Sequence, residues 1–172
     1  AHLRPQVIAM AHTASSYMLG REGEIALTAR LEKQYDIRFT SAFVSVVAAM
    51  EELGVKKVAL GTPYAEAQTL AGKATLESYG LKVVNYRRLE NVRNIYEETP
   101  ARAYSLAKAA NTPEAEVIFL SRVGMPTVEV LDALEQDLGK PVISSVAAMM
   151  WNCLRIAGVR PVVPGYGRLL AG

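Results

Sequence analysis

The chain has 172 residues, with 19 Lys and Arg, 17 Asp and Glu, and a formal net charge of +2. This length suits one large domain or two small lobes, and a hydrophobic share of 51% excludes a disordered chain. The basic residues are dispersed among acidic ones and aromatic residues are few, which excludes nucleic acid as a partner. No apolar run is long enough to span a bilayer and no basic-then-apolar leader is present, so we expect no membrane association.

Cysteine and histidine are scarce in this sequence. The single cysteine, Cys153, excludes an internal disulfide framework. Because the sequence contains only two histidines, His2 and His12, we expect no metal site. A reducing cytosol is the default compartment for such a chain, so we predict a cytoplasmic protein. Cys153 stands among apolar residues of a predicted helix, where we expect it to be buried and inert.

Apolar runs alternate with helical patterns along the whole chain. In chain order we predict a strand at 7–11, helices at 20–35 and 41–53, a strand at 58–60, a helix at 65–79, a strand at 81–86, a helix at 100–110, a strand at 117–120, a helix at 127–138, a strand at 142–143 and a helix at 147–157. Thr40 or Ser41 is expected to cap the second helix, Thr99 the fourth and Thr127 the fifth.

One junction occurs three times: Gly54, Gly80 and Gly139 each close a predicted helix and lead within a few residues into a strand. Short helix-to-strand connections and continuous apolar strands indicate parallel pairing with helices on both faces. The predicted fold class is therefore α/β, with about five strands in doubly wound parallel sheets.

In such folds ligands bind at the carboxyl ends of the strands. The candidate site residues all follow predicted strands: His12, Thr13, Tyr64, Ser121, Arg122, Gly124 and Ser145. Hydroxyls and free amides at helix starts suit a small carboxylate, and the planar fork of Arg122 suits one better. Each residue also has a plainer interpretation, because the hydroxyls are typical helix caps, His12 is often structural at such a position, and Arg122 could pair with a nearby acid such as Glu129.

Glycine-rich segments give no sign of a cofactor site. Residues 20–23, Gly-Arg-Glu-Gly, lie inside a helical stretch, and residues 165–167, Gly-Tyr-Gly, lie in a Pro-rich tail. Neither matches a phosphate loop or a dinucleotide fingerprint, so we expect no cofactor.

Four blocks of the sequence resemble one enzyme family. Residues 7–15, Val-Ile-Ala-Met-Ala-His-Thr-Ala-Ser, are similar to the segment that carries the first catalytic cysteine of maleate cis–trans isomerases. Residues 50–64, ending in Thr-Pro-Tyr, resemble the central block of that family, and Asn94-Ile95 its next loop. Residues 134–158, which contain Leu-Gly-Lys-Pro-Val-Ile-Ser-Ser, resemble its C-terminal signature. Over nearly its whole length the chain resembles the aspartate/glutamate racemase superfamily, on the branch of maleate isomerase and arylmalonate decarboxylase.

The resemblance implies a cofactor-free enzyme in which two pseudo-symmetric lobes close on a small carboxylate. Family members carry about one more strand–helix stretch ahead of the position of Ala1, which implies an incomplete N-terminal lobe here and a chain that is processed, trimmed or a fragment. The implied division is a partial N-terminal lobe at 1–60, a C-terminal lobe at 61–145, and a helix and tail at 146–172 that pack back on the first lobe.

The chain departs from the family at the positions of its thiols. Racemases and isomerases of the family place one cysteine on each face of the substrate, and the decarboxylases keep only the C-terminal one. Here His12 stands at the first position, and Arg122 stands at the second, or Ser121 if the alignment slips by one residue. Cys153 matches neither position, so we expect no thiol chemistry, while Thr13, Tyr64, Gly124 and Ser145 retain the carboxylate-holding part.

Two functions remain open from the sequence. The first is a cofactor-independent lyase or isomerase acting next to the carboxylate of a small mono- or dicarboxylic acid, decarboxylase-like or maleate-isomerase-like. In it His12 is the acid or base and Arg122 is the cation that binds or polarises the substrate. The second is a non-catalytic relative that binds a carboxylate or serves as one subunit of an assembly. We also expect a homo-oligomer, or a separate chain that supplies the missing N-terminal segment.

Overall fold

A computed structural model describes residues 4–160 and 162–172 and contains two parallel sheets. Strands β1 (Val7–Met10) and β2 (Arg38–Ser41) form a two-stranded sheet. Strands β3 (Lys57–Thr62), β4 (Lys82–Arg88), β5 (Val117–Leu120) and β6 (Val142–Ser144) form a four-stranded sheet in the order β4-β3-β5-β6.

Within residues 4–160 and 162–172, seven helices connect and cover these strands. They are α1 (Thr13–Tyr35), α2 (Ala42–Glu52), α3 (Glu66–Ser78), α4 (Pro100–Ala110), α5 (Leu131–Leu138), α6 (Ser145–Ile156) and α7 (Arg168–Ala171), with short 3₁₀ turns at Ile95–Glu97 and Val128–Val130. None of the helices in the described part of the chain is both long enough and apolar enough to cross a membrane.

The predicted parallel α/β architecture is confirmed. Every strand pairing within both sheets is parallel. All four residues of β5 and five of the six in β3 are buried, as expected for strands covered on both faces. The glycines that close α2, α3 and α5 have φ values of 66°, 82° and 69°, a region that costs glycine least.

Helix starts follow the predicted caps with one exception. The Ser41 hydroxyl accepts a hydrogen bond from the Val44 amide, and Thr99 accepts one from Arg102 at the start of α4. The cap at Thr127 was predicted wrongly, because its side chain makes no cap bond and a 3₁₀ turn precedes α5.

The structure contains one strand that the sequence pattern did not predict. Strand β2 reads Arg-Phe-Thr-Ser, and a single apolar residue gives no run to recognise. Helix α1 also begins at Thr13 rather than near residue 20. Gly20, with φ 65° and ψ 177°, kinks it and breaks the helical pattern of the sequence.

The two sheets are joined through helices that begin at their carboxyl edges. Helix α6, which follows β6 of the larger sheet, packs against α2 and β1. A division at residue 60 falls inside β3, all of which pairs with β4 of the larger sheet. Fully buried Phe43, Leu60 and Phe119 belong to one continuous core.

Helix α3 approaches α1 closely at Gly72, where a Cβ atom would lie 2.7 and 2.8 Å from two ring carbons of Tyr17. We expect Gly72→Ala to lower the free energy of unfolding by about 1–3 kcal/mol, because the ring is itself packed and has to move. Gly23→Ala is the matched control, since its Cβ would meet Leu19 at an ordinary 3.4 Å. That change should be neutral or stabilise by about 0.5–1 kcal/mol. Urea unfolding measures both, and equal effects would refute this account of the α1–α3 contact.

Candidate functional site

The loop after β1 brings His12 and Thr13 to the carboxyl edge of the smaller sheet. His12 is exposed at the start of α1, makes no side-chain cap bond, and lies with Nδ1 2.8 Å from the Ser15 hydroxyl. Thr13 is buried, and its hydroxyl donates to the Ser145 hydroxyl oxygen at 3.0 Å. Residues 132 positions apart in sequence therefore meet at one point.

Ser145 connects this loop to the loop after β5. It is fully buried at the first turn of α6, and its oxygen accepts a second hydrogen bond from the Arg122 amide at 3.1 Å. The neighbouring Ser144 provides the helix cap, so Ser145 is not used as one. Thr13, Ser145 and Arg122, which follow three different strands, thus form one hydrogen-bonded chain.

A second contact chain runs beside the first. The Tyr17 hydroxyl lies 2.6 Å from the Ser121 hydroxyl, and both residues are buried. The Tyr17 and Tyr64 rings meet edge to face with 6.0 Å between centroids. The guanidinium carbon of Arg122 lies 5.7 Å from the centroid of the Tyr64 ring. The structure therefore places Tyr64 and Ser121 in the same cluster as Arg122.

Arg122 has a backbone conformation that is rare for its residue type. Its φ is +90°, in the region that favours glycine, and the half-buried residue follows fully buried Ser121. A strained residue of this kind persists when its surroundings hold it, and such residues concentrate at functional sites. Within residues 4–160 and 162–172, neither Arg122 nor His12 belongs to any ion pair, so neither is neutralised by Glu22 or Glu129.

The 3₁₀ turn at Ile95–Glu97 contributes a neighbour of Gly124. A Cβ on Gly124 would lie 3.0 Å from a ring carbon of Tyr96, whose side chain is 81% exposed. The exposed ring of Tyr96 therefore lies close to Gly124 in the loop after β5. Asn94-Ile95, directly before it, matched a loop of the family in the sequence, but Tyr96 itself was not predicted.

Tyr17 is a cluster residue that the sequence analysis missed. It lies one turn after Thr13 on α1, so the two share a helix face, but this was hidden as long as α1 was expected to start at residue 20. Burial raises the pKa of the Tyr17 phenol, although its hydrogen bond with Ser121 acts in the opposite direction. Burial also raises the pKa of Tyr64, opposed by nearby Ser121 and Arg122. Both phenols are neutral near pH 7 and can donate hydrogen bonds.

The raised pKa of Tyr17 predicts a loss of stability at alkaline pH. Below the unfolded-state pKa of about 10 the phenol is neutral in both states and its contribution is fully present. As pH rises above that value the unfolded chain releases the proton first, so stability falls by up to about 1.4 kcal/mol per pH unit for this group. We expect Tyr17→Phe to remove that part of the slope between pH 10 and 11.5, and the exposed Tyr35→Phe to leave it unchanged, as followed by urea unfolding. If the free energy of unfolding fell equally steeply with pH in the native, Tyr17→Phe and Tyr35→Phe proteins, folding would not raise the pKa of Tyr17.

Cys153 lies in α6 but is only half-buried, which corrects the expectation of a buried thiol. The reason is its position on the helix, since the neighbouring Met150 is 50% exposed whereas Trp151 and Asn152 face the interior. Partial burial raises the pKa of the thiol, which disfavours the reactive thiolate.

A further buried polar cluster lies around Glu24, which is 1% exposed. One carboxylate oxygen, Oε1, accepts hydrogen bonds from the hydroxyls of Ser16, at 2.5 Å, and Ser41. The other oxygen and the Tyr79 hydroxyl are buried without a hydrogen-bond partner in the described part of the chain. The cluster thereby connects both parts of the kinked α1 to the start of α2.

These features place the chain among parallel α/β proteins whose polar edge residues come from both sheets. A family model described as arylmalonate decarboxylase matches residues 2–170. The arylmalonate decarboxylase of Bordetella bronchiseptica is 30% identical over an alignment of 173 residues that covers 95% of this chain and 70% of that protein. The chain belongs to the arylmalonate decarboxylase family, which confirms the resemblance found in the sequence.

The other comparisons agree with this assignment. A maleate isomerase of Nocardia farcinica is 31% identical over an alignment of 133 residues that covers 73% of this chain and 51% of that protein. A crystal structure of arylmalonate decarboxylase matches with a TM-score of 0.90 and 29% identity, covering 96% of this chain and 75% of that one. The chain thus spans about half the length of this maleate isomerase and about three quarters of the solved decarboxylase.

Proposed function

We propose that the chain is a cofactor-independent enzyme that acts next to the carboxylate of a small dicarboxylic acid, with decarboxylation as its reaction. The relatives named above are decarboxylases and isomerases, which supports chemistry at a carboxylate. The observation that carries the proposal is the Thr13–Ser145–Arg122 chain, because it joins loops of both sheets beside a cation that has no acidic partner in the described residues.

The hydrogen-bond directions favour a bound anion. The Ser145 oxygen already accepts from Thr13 and from the Arg122 amide, so the hydroxyl proton of Ser145 is left to donate to a ligand. The Arg122 guanidinium supplies a planar pair of donors, and the neutral Tyr64 phenol a further one. A carboxylate held this way would be stabilised further as charge builds on its oxygens.

In the proposed reaction, the bond between the α-carbon and the leaving carboxylate breaks and CO₂ departs. The electron pair enters the retained carboxylate as an enediolate, which Arg122, Tyr64, Ser145 and the amide of Gly124 stabilise. His12, in its protonated form, then donates a proton to the α-carbon, and solvent reprotonates the imidazole. One proton donor on one side suffices for this reaction, whereas two-base racemisation needs a donor on each side.

Product analysis with two substrates tests the proposal. Phenylmalonate should yield phenylacetate and CO₂, and maleate should yield little or no fumarate. Conversion of maleate alone would replace the decarboxylase with an isomerase. If neither is converted while phenylmalonate still binds by calorimetry, the non-catalytic carboxylate-binding alternative is correct.

Arg122→Ala should weaken substrate binding more than turnover. A charged hydrogen-bond donor that contacts substrate in ground and transition states acts on affinity, and we expect KM to rise about 10- to 100-fold. Arg122→Lys should retain only part of the substrate affinity, because the bidentate fork of the guanidinium is lost. Steady-state kinetics measure both variants, with Arg30→Ala, which changes an exposed arginine of α1, as the control. An unchanged KM in folded Arg122→Ala protein would remove this residue from the site.

A further inference from the structure

A cavity lies at the opposite end of α2 and α6 from the candidate site. Both helices begin at the polar edge, at Ser41 and Ser144. The cavity of about 550 Å³ is bounded by Glu52 and Leu53 at the end of α2 and by residues at the end of α6. With a rise of about 1.5 Å per residue, the two ends of α6 are about 16 Å apart. The cavity is therefore separate from the Thr13–Ser145–Arg122 chain.

Three arginines face this cavity: Arg155, Arg160 and Arg168. A single acidic side chain, Glu52, lines it with them. Arg168 is partly engaged, since its Nε lies 3.6 Å from the Glu135 carboxylate. Arg155 and Arg160 belong to no ion pair within residues 4–160 and 162–172, so the cavity has an excess of positive charge.

Arg155 is held in place by its neighbours. Its guanidinium lies 4.8 Å from the centroid of the Trp151 ring, and its Nε and Nη2 donate to the Asn152 side-chain oxygen at 3.3 and 3.1 Å. Asn152 is 2% exposed and donates in turn to Thr40 and Ser45 at 3.2 and 3.1 Å. A cation fixed in this way loses little conformational entropy when it binds a ligand.

The remaining walls of the cavity are apolar. Trp151 is 5% exposed, Leu169 is buried, and Val159 lies at the rim with half of its surface exposed. Cavities of 300–1,000 Å³ with apolar walls and a few fixed polar groups are typical of small-molecule sites. Guanidinium groups select a carboxylate or phosphate, and the apolar walls select the body that carries it.

We propose that this cavity is a second binding site, for an organic anion with a carboxylate or phosphate head on an apolar body. Arg155 and Arg160 bind the head, and Trp151, Val159 and Leu169 contact the body. The site is independent of the proposed reaction, because it shares no residue with the carboxyl edge.

Trp151 is the only tryptophan in the sequence, so its indole N–H gives a single NMR signal from the cavity wall. We expect phenyl phosphate or benzoate to shift this signal saturably, with a Kd of about 1 mM or tighter, and uncharged benzyl alcohol not to. The preferred head group follows from which of the two anions binds more tightly. The same titration in the Arg122→Ala protein should give an unchanged Kd, which separates this cavity from the candidate site.

Arg160→Met should raise the Kd about tenfold, and so should Arg155→Met. Arg160 makes no hydrogen bond or ion pair in the described part of the chain, so its replacement tests the site without disturbing the fold. Arg30→Met on α1 is the control and should leave the Kd unchanged. Absence of a saturable shift, an equal shift with benzyl alcohol, or an unchanged Kd in Arg160→Met protein would overturn the proposal.

Discussion

Replacing His12 with alanine should lower turnover on the dicarboxylate about 10²- to 10⁴-fold and change KM little, because proton transfer in the transition state is lost. His12 is exposed at the carboxyl edge, next to Thr13 of the hydrogen-bonded chain. Its Nδ1 is engaged by Ser15, so Nε2 is the nitrogen that would exchange a proton with the substrate. Single-turnover and steady-state rates measure the effect.

Two controls make the His12 result specific. Ser15→Ala removes the hydroxyl that orients the imidazole and should cost much less than His12→Ala. Because His12 is exposed and its side chain makes no cap bond, His12→Ala should leave the Tm unchanged. Turnover equal to that of the native chain in His12→Ala protein would exclude His12 as the proton donor, whatever Arg122→Ala shows.

The fold was predictable where strands are buried on both faces. The runs at 117–120 and within 57–62 are continuous and apolar, and Gly54, Gly80 and Gly139 marked the ends of three helices that lead into strands. Strand β2 was not predictable in this way, because Phe39 is its only large apolar residue. Its extended conformation is stabilised by the parallel pairing with β1, which is not visible in the local sequence.

The candidate residues could be placed at one edge from the sequence, but their pairings could not. Topology alone puts Thr13, Arg122 and Ser145 after three strands of parallel sheets. That Ser145 accepts from both of the others depends on how α6 packs against β1, which no local pattern encodes. The same holds for Tyr17, whose hydroxyl reaches a serine 104 positions away.

Glu24 shows the same limit most clearly. In the sequence it belongs to a mixed polar and apolar helix, where a glutamate ordinarily faces solvent. Its burial follows from the kink at Gly20 and from β2, neither of which was predicted, since these bring Ser16 and Ser41 to one carboxylate oxygen.

Glu24→Ala should therefore lower the free energy of unfolding by about 3–5 kcal/mol, because it leaves a cavity and two buried hydroxyls without their acceptor. Glu22→Ala, two residues earlier on the same helix and exposed, is the matched control and should change stability by less than about 0.5 kcal/mol. Glu24→Gln should fall between them, since its carbonyl still accepts from the hydroxyls of Ser16 and Ser41. Urea unfolding followed by circular dichroism ranks the three variants. If Glu24→Ala were as stable as Glu22→Ala, the Ser16–Glu24–Ser41 cluster would not be what holds the kinked α1 against the start of α2.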